Sequence, residues 1–159
     1  MDDARPEVLS ALATSEPAPQ VVFRAGGALH ALPLESVREV VVPRPPFARV
    51  PRAAAAVRGA MNLRGRVVAV VDLAAMLGLA GSGGHPGEHV IILDRGRRAL
   101  GFLVGPVLGV EPLSGAAALS GAPAAVRGRA PSARHGADVV LLDPDVLEGH
   151  ATALFAPLC

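Results

Sequence analysis

An all-β protein, built as two pseudo-symmetric five-stranded barrels on a shared core with short helical turns between strands, is what this sequence predicts. Three observations predict it. Short β-branched runs recur between glycine and proline turns, with almost no helical periodicity. A pattern of roughly 70 residues occurs twice, and each copy has the size of a small barrel. Trp and Tyr are absent and Phe occurs four times in a chain that is 51% hydrophobic, so the core must be made of Val, Leu and Ala. Two small barrels sharing one core would remedy the scarcity of buried surface in each.

The elements follow in order. Residues 1–19 carry prolines and no periodicity, which suits an N-terminal arm. QVVFR, AGG and ALHALPL read as strand, glycine turn and strand, and VREVVV as a third strand that stops at PRPP. Val67 to Val71 is another strand, LAAMLG a helical turn closed by Gly78, and residues 78–88 a glycine-rich loop. HVIILD, ALGFLV and VLGVEPL supply three more strands. Residues 114–137 read as a long connection, DVVLLD as the last strand, and DPDVLEG as a short helix capped by Asp143 or Asp145. The domain is expected to span 20–150, with 151–159 a tail.

The repeat can be laid out residue by residue. With a constant offset of 70, Leu32-Pro33-Leu34 falls on Phe102-Leu103-Val104, Val37 on Val107 and Val40 on Val110. Further on, Val57-Arg58-Gly59 matches Val126-Arg127-Gly128, and the strand ending in Asp72 matches the one ending in Asp143.

Composition excludes several chemistries. All fifteen basic residues are arginine, so neither a Walker lysine nor a Schiff base is available. The net charge of +1 exerts no global pull on nucleic acid or membrane. Cys159 is the only cysteine, the N-terminus lacks the apolar core of a secretory signal, and the weakly polar window 99–110 is too short to span a bilayer. A soluble cytoplasmic protein without membrane insertion is expected. His85 and His89 stand four apart on a glycine-rich loop with no third ligand in view, so no metal is expected. No nucleophile elbow occurs, and neither an enzyme activity nor a cofactor is expected.

VFRAGGALHALPLESVREVV followed by VRGAMNLRGRVVAVVDL, and later GFLVGPV, resembles the CheW family, the small adaptors of bacterial chemosensory arrays. The resemblance covers about residues 20–150, and its most specific part is Asn62-Leu63-Arg64-Gly65 at the right distance from the VREV strand. It departs at His30, where an aromatic is usual, at Ala69, which replaces a strand proline, and at Gly105, which replaces an aspartate. It implies two SH3-like barrels without an active site, in agreement with the repeat. It also implies an adaptor that bridges the cytoplasmic tip of a methyl-accepting chemoreceptor and the regulatory domain of a CheA-type histidine kinase. Other CheW-like domains are a further partner class. A divergent relation of a gliding or pilus motility pathway, with the kinase-binding interface lost, is the alternative raised by Gly105 and by the segment after Val126, which lacks a clear second-half turn motif.

Partner-contact residues are expected at Leu34, Val37, Glu39, Asn62, Arg64, Val104 and Val107. Gly59 and Gly65 supply turn geometry. The Arg64 fork either pairs inside the protein with Glu39 or faces a partner's carboxylates and carbonyls, and both roles are compatible. Strand alternation puts Val37 and Glu39 on one face, a docking patch unless Val37 is core. Leu34, Val104 and Val107 would line the seam between barrels if they are not ordinary core residues. Asp72 is expected to cap the helical turn after it. Between Glu39 and Asp72 lie Arg44, Arg49, Arg52, Arg58, Arg64 and Arg66 and no acid. A nucleic-acid-binding barrel is the rival that this run raises. Only Phe47 could stack there, so a solvated basic face, or one meeting an acidic protein, is the better expectation.

Overall fold

The computed structural model describes residues 17–79, 87–94, 100–114 and 122–155. Most of the N-terminal arm, His85 and Cys159 lie outside these residues. Ten strands are described: β1 (Ala18–Ala25), β2 (Ala28–Pro33), β3 (Val37–Val41), β4 (Val57–Leu63), β5 (Arg66–Asp72), β6 (His89–Leu93), β7 (Leu100–Val104), β8 (Val107–Leu113), β9 (Val126–Ser132) and β10 (Ala137–Leu142). A 3-10 turn, Leu34–Ser36, joins β2 to β3, and two helices, α1 (Leu73–Leu77) and α2 (Pro144–Ala153), follow β5 and β10. Ordered structure thus begins before residue 20 and continues past residue 150.

The strands form two five-stranded sheets, with orders β8-β1-β2-β10-β9 and β3-β6-β7-β5-β4. These are the first and second barrels. Neither corresponds to one copy of the repeat. The second barrel uses consecutive strands, β3 to β7, and the first takes β1 and β2 from one copy and β8 to β10 from the other. Parallel pairs, β2 with β10 and β5 with β7, stitch the copies together inside each barrel.

The repeat survives in backbone detail. The Asp94 N–H donates to the Ser36 carbonyl (2.8 Å), and 70 residues away in each case the Arg24 N–H donates to the Pro106 carbonyl (3.1 Å). The Asp72 N–H bonds to Ala56 O and the Asp143 N–H to Ala125 O, both at 2.8 Å. Asp72 accepts from the Ala75 N–H and Asp143 from those of Asp145 and Val146, so each aspartate caps the helix after it. Gly78 ends α1 with φ +68°, as its C-terminal position requires.

Strands β4 and β9 were not expected as strands: the first read as a turn region and the second as part of a connection. They occupy the same repeat position and lie at sheet edges. VRGAMNL and VRGRAPS lack β-branched runs, and Pro131 is tolerated in β9 because an edge strand need not donate on both sides. Pairing with β5 and β10 overrides the weak propensity. Gly59 is indispensable in β4. An added Cβ there would lie 2.5 Å from the Ala48 carbonyl oxygen, and φ is +141°. Gly105 is fixed in the same way, since a Cβ would lie 2.9 Å from the Arg24 carbonyl oxygen where β7 crosses over to β8.

Three apolar clusters fill the molecule. Val22, Leu29, Ala31, Leu113, Ala130, Val139 and Leu141 fill the first barrel, and Val68, Val70, Val90, Ile92 and Leu103 fill the second. The third and largest lies between them and contains Phe23, Leu32, Val71, Leu73, Ile91, Leu93, Phe102, Leu142 and Leu147. Strand alternation sends one face of β1, β6 and β7 to a barrel interior and the other to this shared core.

His30 is buried at 3% exposure, with its ring stacked on Phe23 (centroids 6.1 Å apart), so it fills the place of an aromatic. Burial pushes its pKa below the ordinary imidazole value, although the bond to the Ala28 carbonyl opposes the shift. The folded state thus resists a proton that the unfolded chain accepts, and stability falls as pH drops below about 6.5. In His30→Phe this loss should be reduced, and urea midpoints of the two proteins between pH 7 and 5 measure the difference. Gly59→Ala should destabilise by about 1–3 kcal/mol in the same assay at pH 7.

Candidate protein-interaction site

The residues Asn62, Arg64 and Glu39 come together at one end of the second barrel. Strands β4 and β5 are joined by Arg64-Gly65, both left-handed at φ +51° and +85°. Two such residues between paired Leu63 and Arg66 make a type I′ hairpin, whose twist suits the flanking strands. The Gly65 N–H donates to the Asn62 side-chain oxygen at 2.8 Å, so Asn62 holds the turn closed from inside. Arg64 is the cost of this arrangement, because left-handed backbone disfavours a residue with a Cβ by about 1–2 kcal/mol.

From that turn the Arg64 guanidinium reaches across to the Glu39 carboxylate on β3. The contact spans the open seam of the second barrel, since β3 and β4 are its two edge strands. Arg64 is 69% exposed and the Glu39 side chain 25%. The hydrogen bond from Arg64 holds the Glu39 carboxyl below the usual carboxylate range, and the charges of Arg64 and Arg38 add to the shift. Arg64 is correspondingly raised.

The first barrel bridges its own seam between edge strands β8 and β9 in another way. Ser132 Oγ lies 2.7 Å from both carboxylate oxygens of Glu111 and 3.0 Å from His135 Nδ1, which is 3.3 Å from the carboxylate. The serine hydroxyl donates to Glu111, and Ser132 is 3% exposed. A hydroxyl held by a carboxylate and shut off from solvent is a structural link rather than a nucleophile.

The apolar candidates separate. Leu34 is 40% exposed on the 3-10 turn between barrels, and Val37 is half-buried against the shared core. Their repeat partners flank the other crossover, where Val107 is half-buried against the same core and Val104 is 3% exposed. Val104 is core and has no side-chain surface to offer. The expected patch of Val37 and Glu39 on one face is also absent. A bulge at Arg38 shifts the register, so Val37 pairs with Leu93 and Glu39 with Ile92. Those partners belong to the shared core and the second-barrel interior, so Val37 and Glu39 point to opposite faces.

Of the six arginines between Glu39 and Asp72, Arg64 binds Glu39, and Arg58 Nη1 lies 3.5 Å from Asp72 Oδ2. His89 Nδ1 accepts the Val107 N–H at 3.1 Å. No group of three His, Cys, Asp or Glu suited to a metal exists among the described residues, and no described helix is long and apolar enough to cross a membrane.

Two fused five-stranded barrels, with a charged pair across the seam of one of them, define the class of fold. Residues 20–148 match the profile of the CheW-like domain, and the chain belongs to that family. The family is one of chemotaxis scaffolds and adaptors. Among solved structures, the crystal structure of the scaffolding protein TtCheW from Thermoanaerobacter tengcongensis is similar in fold, with a TM-score of 0.66 and 24% identity over 80% of this chain and 89% of that one. A comparison with curated proteins finds no match.

Arg64→Gly should keep the hairpin, because glycine suits its left-handed φ, and leave thermal stability unchanged or slightly higher. The Glu39 carboxyl pKa should rise toward its ordinary value. NMR titration of the side-chain carboxyl carbon reads this directly. The contribution of the pair to stability is present above the unfolded carboxylate pKa and is lost as pH falls through the folded one.

Proposed function

We propose that the protein is a non-catalytic adaptor on the cytoplasmic side of a chemosensory array, coupling the tip of a chemoreceptor to the regulatory domain of a CheA-type histidine kinase. The observation that carries this reading is the Glu39–Arg64 bridge on its Asn62-braced hairpin. An exposed guanidinium and a partly buried carboxylate, held on paired strands, meet a partner with little loss of conformational entropy. Leu34, 40% exposed beside the first crossover, offers apolar surface to a partner. Contacts of this size are individually modest and gain strength from many copies in one array.

Family membership and the double-barrel fold support the adaptor reading. The nucleic-acid alternative is weakened by the engagement of Arg58 and Arg64 with acids of the same chain.

Calorimetric titration against the regulatory domain of the cognate kinase is the test. Binding at micromolar affinity is expected, weakened at least tenfold in Arg64→Gly with its fold retained. No detectable heat with the native protein would reject the kinase arm, and equal affinity of the variant would remove the hairpin from the interface.

A further inference from the structure

At the opposite end of β4 from the Glu39–Arg64 bridge, the connection between β3 and β4 forms a groove of about 460 Å³ lined by Phe47, Arg49, Val50, Arg52, Ala55 and Arg58. Arg58 and Arg64 are six residues apart on an extended strand, about 20 Å. This surface is therefore separate from the hairpin, and its role is independent of the adaptor reading.

The backbone of the groove is held in place. Ala48 and Ala60 exchange two backbone hydrogen bonds of 2.8 Å, Gly59 lets the connection approach β4 closely, and the Val57 N–H closes a turn onto the Ala54 carbonyl at 2.9 Å. Among the described residues only two non-glycines have positive φ, and both are arginines: Arg64 and Arg52, at φ +60°. Arg52 follows Pro51, at the turn position where glycine is the favoured residue. Arginine there is disfavoured by the backbone, and its side chain makes no hydrogen bond or ion pair among the described residues. Neither Arg49 nor Arg52 has an acidic partner among the described residues, and both are exposed. Arg58 adds a third guanidinium, shared with Asp72.

We infer that this groove docks an acidic segment of a partner protein, with carboxylates on Arg49 and Arg52 and an apolar side chain against Phe47, Val50 and Ala55. Charge selects the partner's sign, and the planar forks suit bidentate carboxylates. Phe47, Val50 and Ala55 add apolar contacts among the guanidinium groups that a peptide side chain can use and a phosphodiester backbone cannot. Phe47, half-buried, is the sole aromatic lining the groove, too little for a stacking platform.

The probe is a fluorescein-labelled peptide of alternating Glu and Leu, about twelve residues long, titrated by anisotropy with single-stranded DNA of equal charge as the competitor class. Saturable peptide binding is expected, weakened about tenfold in Arg49→Gln and again in Arg52→Gly. Arg52→Gly suits the left-handed backbone, so its melting temperature should equal or exceed that of the native protein, which separates lost binding from lost fold. Arg127→Gln alters the exposed repeat equivalent of Arg58 on the first barrel and should change affinity by less than twofold. Absence of saturable binding would overturn the inference. So would an equal loss in Arg127→Gln, which would mean diffuse charge, or tighter binding of the DNA.

Discussion

The shared apolar layer between the barrels is the constraint on which the rest of the molecule depends. Without Trp or Tyr, neither barrel can enclose much surface alone, and the chain places two of its four phenylalanines, Phe23 and Phe102, in the layer where the barrels meet. The repeat shows how that layer is assembled. At an offset of 70, Phe23 corresponds to Leu93 and Leu32 to Phe102, and all four are in the shared cluster. Each copy contributes one large ring and one leucine at reversed positions, so the halves interlock while summed volume is conserved. Close-packed interiors demand such complementarity.

Once the barrels are joined this way, each still has two edge strands to secure. The same architectural gap is closed twice with different chemistry: by the buried Glu111–Ser132 link, flanked by half-buried His135, in the first barrel, and by the more exposed Glu39–Arg64 bridge in the second. A buried polar link fixes structure and is unavailable to anything outside. An exposed one adds little to stability, and its charges remain accessible. The departure from symmetry between copies therefore falls on surface chemistry, and the backbone, down to its bulges and helix caps, keeps the repeat.

That division explains what could be read from the sequence. Strands rich in β-branched residues, the aspartate caps and the glycine stop were legible because each is a local preference. The edge strands β4 and β9 were not, since they are strands only by virtue of a neighbour. Asp143 is the cap of α2 because the proline after it fits the first helical turn, a resolution the sequence left open between two aspartates. For the candidate site, the grouping of Asn62, Arg64 and Glu39 was visible through the resemblance. The bracing role of Asn62 and the left-handed Arg64 needed coordinates. The alternation rule misplaced Val37 relative to Glu39 because one extra residue in β3 reverses the face, and no residue type in VREV announces it. Val104 matched Leu34 in the repeat but not in exposure, which depends on what packs over it.

The nested strand order bears on synthesis as well as on the finished protein. Strands β3 to β7 are consecutive, so the second barrel has all its parts as soon as Val104 has cleared the ribosome. The hairpin of β1 and β2 is made first but must wait for β8 to β10, which arrive after the inner barrel. During that interval Val22, Leu29 and Ala31 lack the strands that cover them, and only the face bearing Phe23 and Leu32 has a partner in place. The order of synthesis thus leaves the second barrel available as a surface for the hairpin before its own barrel can be completed.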